Sequence, residues 1–407
     1  MPPPLSVDEA LARILEGVEP MPAEAVAIEA AHRRTLAEPL AALLTQPPFD
    51  ASAMDGYAVR AADVARLPAT LALIGEAAAG HPFAGRIAAG QAVRIFTGAP
   101  LPEGADAVVI QENAAQEKSG SDGAKVIVRE GTPDHGHVRH TGDDFRTGEV
   151  LLGVGRRLGP REVSLAAAMG HGTLWVRRRP RVAVISTGDE LLPPGGRLGP
   201  GQIISSNHLG VTALAEAAGA EASFVGIARD TPESLETHFA RAADADVIVT
   251  IGGASVGDHD LVGPVLKARG MTLSFWNIAM RPGKPLMFGR LGAARVLGLP
   301  GNPVSSLVCT RVFLIPLLRA LLGQSAHDAS PLRARAGVAL EPNGPRQHYM
   351  RATTAPGPDG LPVVTPVRSQ DSSLLAPLAQ ADCLLVRPVR AVAAPAGTLV
   401  PILPLDF

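Results

Sequence analysis

Between Arg181 and about Gly323 the chain alternates short continuous apolar runs with amphipathic stretches, a rhythm that few folds accept. The runs Val182–Ile185, Phe224–Ile227, Val247–Ile251 and Ala294–Leu299 are short and apolar throughout, so they read as strands buried on both faces. Helical patterns at about Asn207 to Ala218 and Glu233 to Ala242 fall between them, and a final helix follows Leu299. Buried strands separated by helices predict a parallel α/β sheet. Arg177-Arg178-Arg179-Pro180 marks the start of this unit, and the texture changes again after Ser325.

On its N-terminal side, Ser6-Val7-Asp8-Glu9 spells a capping box. Val7, Leu11, Ile14, Leu15 and Val18 continue at helical spacing until Glu19-Pro20. A second apolar-periodic stretch, Ala23 to Leu44 with Pro39 inside it, predicts a broken helix ending at Pro47-Pro48. From Phe49 to about Val150, β-like runs such as Leu71–Ile74, Ala92–Phe96, Ala107–Ile110 and Lys125–Val128 are separated by Gly, Pro and Asp, which predicts a small β-rich domain. Leu158 to Val176 predicts another helix followed by a linker. Beyond Ser325, short β runs with frequent Pro and Gly predict a C-terminal β domain.

Composition removes several classes of function. A formal net charge of −2 over 407 residues gives no positive field to draw in a phosphate backbone, so nucleic-acid binding is not expected. The two cysteines, Cys309 and Cys383, stand far apart and form neither a disulfide framework nor a zinc ribbon. The start of the chain has no basic segment leading into an apolar one, and no run is read as approaching the ~18 apolar residues of a membrane span, so no membrane partner and a cytoplasmic address are expected.

Residues able to carry chemistry gather at the predicted strand ends. Val247–Ile251 runs directly into Gly252-Gly253-Ala254-Ser255-Val256-Gly257-Asp258-His259-Asp260. Glycines beyond the carboxyl end of a parallel strand let backbone N–H groups approach an anion, although a tight turn would use them as well. Ser186-Thr187-Gly188-Asp189-Glu190 and Arg229-Asp230 bring further acids to the same edge. Each acid alone fits a helix N-cap, whereas together they are most easily understood around a hard divalent cation, Mg²⁺, that bridges them to phosphate oxygens. Arg281-Pro282-Gly283-Lys284 offers a planar fork and a compact charge to an oxyanion, or is an exposed turn. Pro300-Gly301-Asn302-Pro303-Val304-Ser305 prepares a helix N-terminus with Asn302 at the cap and Pro303 at the first helical position. His135, His137 and His140 lie in a basic, Gly-flanked segment and read as solvated rather than metal-bound.

Six motifs in order, Ser52-Ala53-Met54-Asp55-Gly56-Tyr57-Ala58, Thr97-Gly98-Ala99-Pro100, Ser186 to Leu191, Gly252 to Asp260, Arg281 to Pro285 and Pro300 to Ser305, resemble the MoeA family of molybdopterin molybdenumtransferases, whose unit also forms the E domain of gephyrin. The resemblance implies insertion of molybdate into adenylylated molybdopterin with release of AMP and a requirement for Mg²⁺. It implies an elongated, L-shaped subunit in a homodimer: a helical linker domain at 1–48 and 145–177, an inserted β-rich domain at 49–144, a molybdopterin-binding α/β domain at 178–325, and a C-terminal β-barrel at 326–407. It also implies a cleft between the α/β domain of one subunit and the β-rich domain of the other.

Carried over motif by motif, the implied catalytic positions are Asp55, Thr97, Asp144, Glu190, Asp230 and Asp260, the last three also holding the metal. The implied substrate contacts are Gly252, Gly253, Ser255, Gly257, Arg281, Lys284, Pro300, Gly301, Asn302 and Ser305, with Arg351 and Ser372 on looser matches. Asn277 departs from the pattern, because family members commonly carry Lys there. The alternatives are a related pterin-binding adenylyltransferase and a non-catalytic molybdopterin-binding scaffold; other molybdenum cofactor biosynthesis proteins are potential partners.

Overall fold

A computed structural model describes residues 4–119, 123–131, 136–253, 261–326 and 332–405. At its centre is a six-stranded sheet that contains the four strands the apolar runs predict and adds two that they do not. Its order is Glu221–Ala228, Arg181–Thr187, Val247–Ile251, Ala294–Leu299, Met287–Leu291, Thr272–Trp276, with the first four strands parallel to one another and each of the last two paired antiparallel with the strand before it. Because strand side chains alternate, Val182 and Val184 face one core while Ala183 and Ile185 face another. The first core receives Val211, Leu214 and Ala215 of the helix Asn207–Ala217; the second receives Leu235 and Phe239 of Pro232–Arg241 and Val262, Val265 and Leu266 of Val262–Ala268.

The capping box forms: Ser6 Oγ accepts from the Glu9 amide at 3.2 Å, and Glu9 Oε2 accepts from the Ser6 amide at 2.8 Å. The helix Val7–Leu15 that follows buries Val7, Ala10 and Ile14 in the first core of the α/β sheet.

Two expectations are corrected. Ala23 to Leu44 is not a broken helix: Ala23–Ala27 is a strand paired antiparallel with Thr173–Arg177, followed by one 3₁₀ turn at Ile28–Ala30 and a short strand at Leu40–Ala41. The predicted linker before Arg177 is therefore the second strand of that pair, while the helix ahead of it spans Pro160–Ala168. Alanine-rich composition favours a helix locally, but a paired strand places Val26 beside Leu174 and Val176 around the core of this region, and the tertiary pairing prevails. The second correction concerns apolar length. Pro303–Leu321 is one 19-residue helical rod long and apolar enough by composition to cross a membrane, and 83% of its most apolar window is buried inside the protein. Arg311 and Arg319 interrupt the run in sequence, which conceals how continuous the rod is.

The β-rich region forms a six-stranded sheet of order Ala107–Ile110, Gly56–Val59, Gln91–Ile95, Ala69–Ala77, Gly123–Val128, Ala114–Ser119. At the other end of the chain Gln347–Ala355, Val363–Pro366, Leu332–Ala336, Leu399–Pro404 and Cys383–Arg387 close into a five-stranded barrel, since the last strand pairs again with the first. Met280–Arg281 leaves the α/β unit to pair in parallel with Gln347 and His348, tying the cationic loop to the barrel.

Gly56 has the tightest backbone approach in the β-rich sheet: a Cβ there would overlap the Val109 carbonyl oxygen and lie 2.9 Å from its carbon. Neither atom can move without breaking the pairing of Gly56–Val59 with Ala107–Ile110. Gly56→Ala is expected to cost about 3 kcal/mol, whereas Gly153→Ala, with open space around it, should stay within about 0.5 kcal/mol. Urea denaturation of both variants checks the contrast, and equal midpoints would show that the sheet is able to shift.

Candidate active site

A cavity of about 710 Å³ opens at the carboxyl ends of the parallel strands. Arg181–Thr187 has Glu221–Ala228, the next strand of this sheet along the chain, on one side and Val247–Ile251 on the other, so connections leave in opposite directions and a crevice forms at that point of the sheet. Thr187, Glu190, Asp230, Gly252 and Gly253 line the crevice, with Pro300, Gly301 and Asn302 from the start of the long rod.

Gly252 and Gly253 have φ of +94° and +58°, in the left-handed region that favours glycine. A Cβ on Gly252 would stand 2.7 Å from the Thr187 carbonyl oxygen, and one on Gly253 would strike Val262. The bare backbone thus forms part of the cavity wall, where its N–H groups can approach an anion. Thr187 Oγ1 is buried on the same wall with no hydrogen-bond partner among the described residues. Asn207 Nδ2 donates to the Gly301 carbonyl at 2.6 Å, holding the two sides of the mouth together.

The structure decides between capping and ligation for Asp230. The N-cap of Pro232–Arg241 is Thr231, whose hydroxyl accepts from the Ser234 amide at 3.2 Å, so the Asp230 carboxyl is left to the cavity. The Asp230 amide donates to Asp189 Oδ1 at 3.3 Å, and Arg229 reaches the Asp189 carbonyl at 2.8 Å. Burial, reinforced by the neighbouring Asp189 charge, pushes the Asp230 carboxyl above the usual range. Stability tied to its neutral form is present at low pH and lost as pH rises through the raised value; a cation beside the ionised group would offset that loss. Glu190 folds back over Gly188, where a Cβ would collide with its carboxylate. Hard oxygen donors of this kind suit a hard divalent ion. Among the described residues no three acidic, His or Cys side chains form a metal cluster. Asp260, Ser255 and Gly257 lie outside the described residues.

Arg281 and Lys284 are exposed on the loop before Pro285, itself in the cavity wall. Asn277 begins this loop with φ of +74°, a conformation that Asn tolerates better than Lys does. Asn302 is the N-cap of Pro303–Cys309, yet its side chain does not bond that helix: Nδ2 donates to Ser372 Oγ at 3.1 Å, while the Val304 amide donates to the Ser372 carbonyl at 3.1 Å. Ser305 is buried beneath this first turn. Arg351 is 1% exposed and gives its guanidinium to the carbonyls of Leu374, Ser369 and Asp371 at 2.8, 3.0 and 2.9 Å. It therefore anchors the loop carrying Ser372 and Ser373 and does not point a free charge at the cavity.

A second polar constellation lies on the β-rich sheet. Asp55 Oδ1 accepts from both the amide and the hydroxyl of Thr97, each at 2.8 Å, and these bonds, with Arg94 nearby, hold the Asp55 carboxyl below the usual range. Arg94 was not singled out from sequence. Its guanidinium lies 5.0 Å from the ring centroids of both Tyr57 and Phe96 and donates to Gln111 Oε1 at 2.7 Å. The signal was available: Arg94 and Phe96 stand two residues apart in the β-like run Ala92–Phe96, a spacing that puts neighbours on one side. Asp144 is exposed, its amide bonded to the Gln46 carbonyl at 3.0 Å. Sequence reading also missed Ser205, Asn207 and Ser373, which line the cavity. His140 Nδ1 lies 3.3 Å from Asp50, and His135 is outside the described residues.

Replacing Arg351 with Met leaves three carbonyls without their donor. We expect Arg351→Met to lower stability by about 2–4 kcal/mol and to raise amide exchange at 369–374 before other barrel loops. Hydrogen exchange read by mass spectrometry checks the order of opening, and uniform exchange across the barrel would contradict an anchoring role.

Residues 5–170 match the family described as the MoeA N-terminal region (domain I and II), 183–320 the probable molybdopterin binding domain, and 333–405 the MoeA C-terminal region (domain IV). The chain is 36% identical over 385 residues to the molybdopterin molybdenumtransferase of Haemophilus influenzae, covering 94% of each chain. It is 35% identical over 395 residues to that of Bacillus subtilis, covering 95% of this chain and 90% of the relative. A solved MoeA structure from Pyrococcus horikosii superposes with a TM-score of 0.82 at 30% identity over the full length of both chains. With matches spanning all its parts, the chain belongs to the MoeA family of molybdopterin molybdenumtransferases, transferases of molybdenum cofactor biosynthesis.

Proposed function

We propose that the protein transfers molybdenum by inserting molybdate into adenylylated molybdopterin with release of AMP. The observation that carries this reading is the joining, in one 710 Å³ cavity, of a backbone cradle at Gly252 and Gly253 with the carboxylates of Glu190 and Asp230. The cradle and the helix start at Pro300 to Asn302 would hold the phosphate-bearing end of the pterin. Glu190 and Asp230, with Asp260, would hold Mg²⁺, which when bound neutralises charge at the phosphate. Arg281 and Lys284 supply cations for the molybdate oxyanion. Arg351 positions Ser372, whose bond to Asn302 keeps the helix start in place. Neither cysteine serves as a nucleophile: burial pushes the Cys309 thiol far above its ordinary range and Cys383 up to about 11.

Asp55 and Thr97 sit on a separate sheet, and their fixed carboxylate and the stacked Arg94 need a ligand brought to them. We infer a homodimer in which this pair faces the cavity of the other subunit, acting in the cytoplasm without nucleic acid or membrane; Asp144 stands beside Phe145, where the chain pairs with Gln46.

Incubation with adenylylated molybdopterin, Mg²⁺ and molybdate should release AMP. Asp230→Asn should reduce that release by about 100-fold while leaving the melting temperature unchanged or slightly raised, because a charge disfavoured beside Asp189 is removed. Parallel loss of melting temperature and activity would assign Asp230 a structural role instead.

The shared cleft has its own measurement. Asp55→Ala and Asp230→Ala subunits, each inactive alone, should regain activity on mixing, since some mixed dimers keep one intact site. Absence of recovery despite demonstrated subunit exchange would place both residues in the same subunit's site.

A further inference from the structure

Behind the cavity wall lies a chain of three polar side chains to which the proposed transfer assigns no role. Ser186, one residue before the end of Arg181–Thr187, and Ser205, after the short strand Ile203–Ile204, both line the cavity. Ser205 Oγ donates to Ser186 Oγ at 3.3 Å and lies 3.1 Å from Nδ1 of His208. All three residues are buried, with 1%, 4% and 5% of their surface exposed. The His208 ring stacks on Phe224, with centroids 3.8 Å apart and planes inclined by 19°, so it cannot swing away freely.

Proton counting fixes what this chain can do. His208 sits in the first turn of Asn207–Ala217, where the helix dipole disfavours a positive charge, and burial lowers its pKa below the ordinary value; the ring is neutral near pH 7. A neutral imidazole has one N–H. A hydroxyl has one hydrogen, so if Ser205 gives its hydrogen to Ser186, Nδ1 must be the protonated nitrogen that donates to Ser205. The hydrogen of Ser186 is then spare, and that residue forms part of the cavity wall. With the proton on Nε2 the order reverses and Ser186 turns only lone pairs outward. Strand alternation turns the adjacent Thr187 hydroxyl, which has no hydrogen-bond partner among the described residues, to the opposite face of the sheet beside Gly252 and Gly253, so the Ser186 hydroxyl belongs to the His208 side alone.

We propose that His208, through Ser205, sets the polarity of the Ser186 hydroxyl, so that Ser186 donates a hydrogen bond to an acceptor oxygen of the bound pterin nucleotide. His208 is a positioning residue, and its role rests on the cavity being the pterin site. The relay involves no bond making to the ligand and no net proton transfer.

Two measurements test it. In ligand-free protein labelled with ¹⁵N-histidine, heteronuclear NMR should show His208 as the neutral Nδ1–H tautomer; an Nε2–H tautomer overturns the polarity, and this spectrum does not depend on the identity of the ligand. Kinetics with adenylylated molybdopterin then compare His208→Phe, which keeps a stacking ring but loses the nitrogen, with Ser205→Ala and with His208→Asn, which restores a donor near Nδ1. Loss of one oriented hydrogen bond should raise KM by about 3- to 10-fold with kcat little changed, and His208→Asn should recover most of the difference. Wild-type KM in His208→Phe, or equal losses in Phe and Asn variants, would overturn the proposal. Failure of the wild-type protein to turn over the pterin at all would overturn the functional reading, and a Nδ1–H tautomer in that case would still support the polarity of the relay.

Discussion

The parallel pairing of Val247–Ile251 between Arg181–Thr187 and Ala294–Leu299 is the constraint on which the site depends. All five residues of that strand are buried, so its position is set by apolar packing on both faces. Its neighbours end at the same level: Ser186 stands opposite Ile251, and Leu299 opposite Ile251 on the other side. Three chains therefore turn out of the sheet together, and the segment leaving each strand becomes wall or floor of one cavity. A one-residue slip in this register would exchange the two cores and withdraw Gly252 from Thr187 at once.

Close backbone approach and charge tension both accumulate at those strand ends. Gly252 and Gly253 give up side chains so that the main chain can reach Thr187 and Val262, and Gly188 does the same beneath Glu190. Asp230 keeps a carboxyl in a place where burial and Asp189 disfavour its ionised form. A fold under selection for stability alone would place Asn or Ser there, so the retained acid is better understood as serving a ligand. By contrast, hydrogen bonds lower the pKa values of two exposed acids, Glu9 bonded by Ser6 in the capping box and Asp55 bonded by Thr97 from a second loop.

What the sequence made legible tracks the range of the forces involved. Buried strands and the helices between them could be read because local pattern and tertiary environment agree, and the first helix because Ser6 and Glu9 complete one another within a single turn. Ala23–Ala27 was misread because alanine carries a helical preference and the partner strand begins at Thr173, far beyond any local window. Glu190 and Asp230 were found from their place after strands, and the structure brings both to one cavity. Arg351 was named, but its environment was invisible: three carbonyls from a loop about twenty residues away consume its charge. Arg94, Ser205 and His208 were missed because a lone arginine in a strand, or a serine before a helix, has no distinctive spacing. Their meaning comes only from Tyr57 and Phe96 in one case and from Ser186 and Phe224 in the other.

The contacts between units explain why so many residues far apart in sequence are needed. Ser372 belongs to the barrel region, yet its carbonyl accepts from the Val304 amide at the start of the long rod, satisfying one of the donors that a helix start leaves open. Asn302, freed from capping, donates to the Ser372 hydroxyl instead of its own helix. Met280–Arg281 makes the reciprocal connection by joining the barrel sheet from the α/β side. The barrel is thus bonded to the cavity at two points, the helix start and the cationic loop. Its closed sheet leaves no free edge between those points to yield, so displacement of the Ser372 loop would be transmitted to Asn302 and the cavity mouth. On this geometry the barrel acts as a brace for the α/β crevice, and Arg351 at its centre matters to the site through the loop it holds.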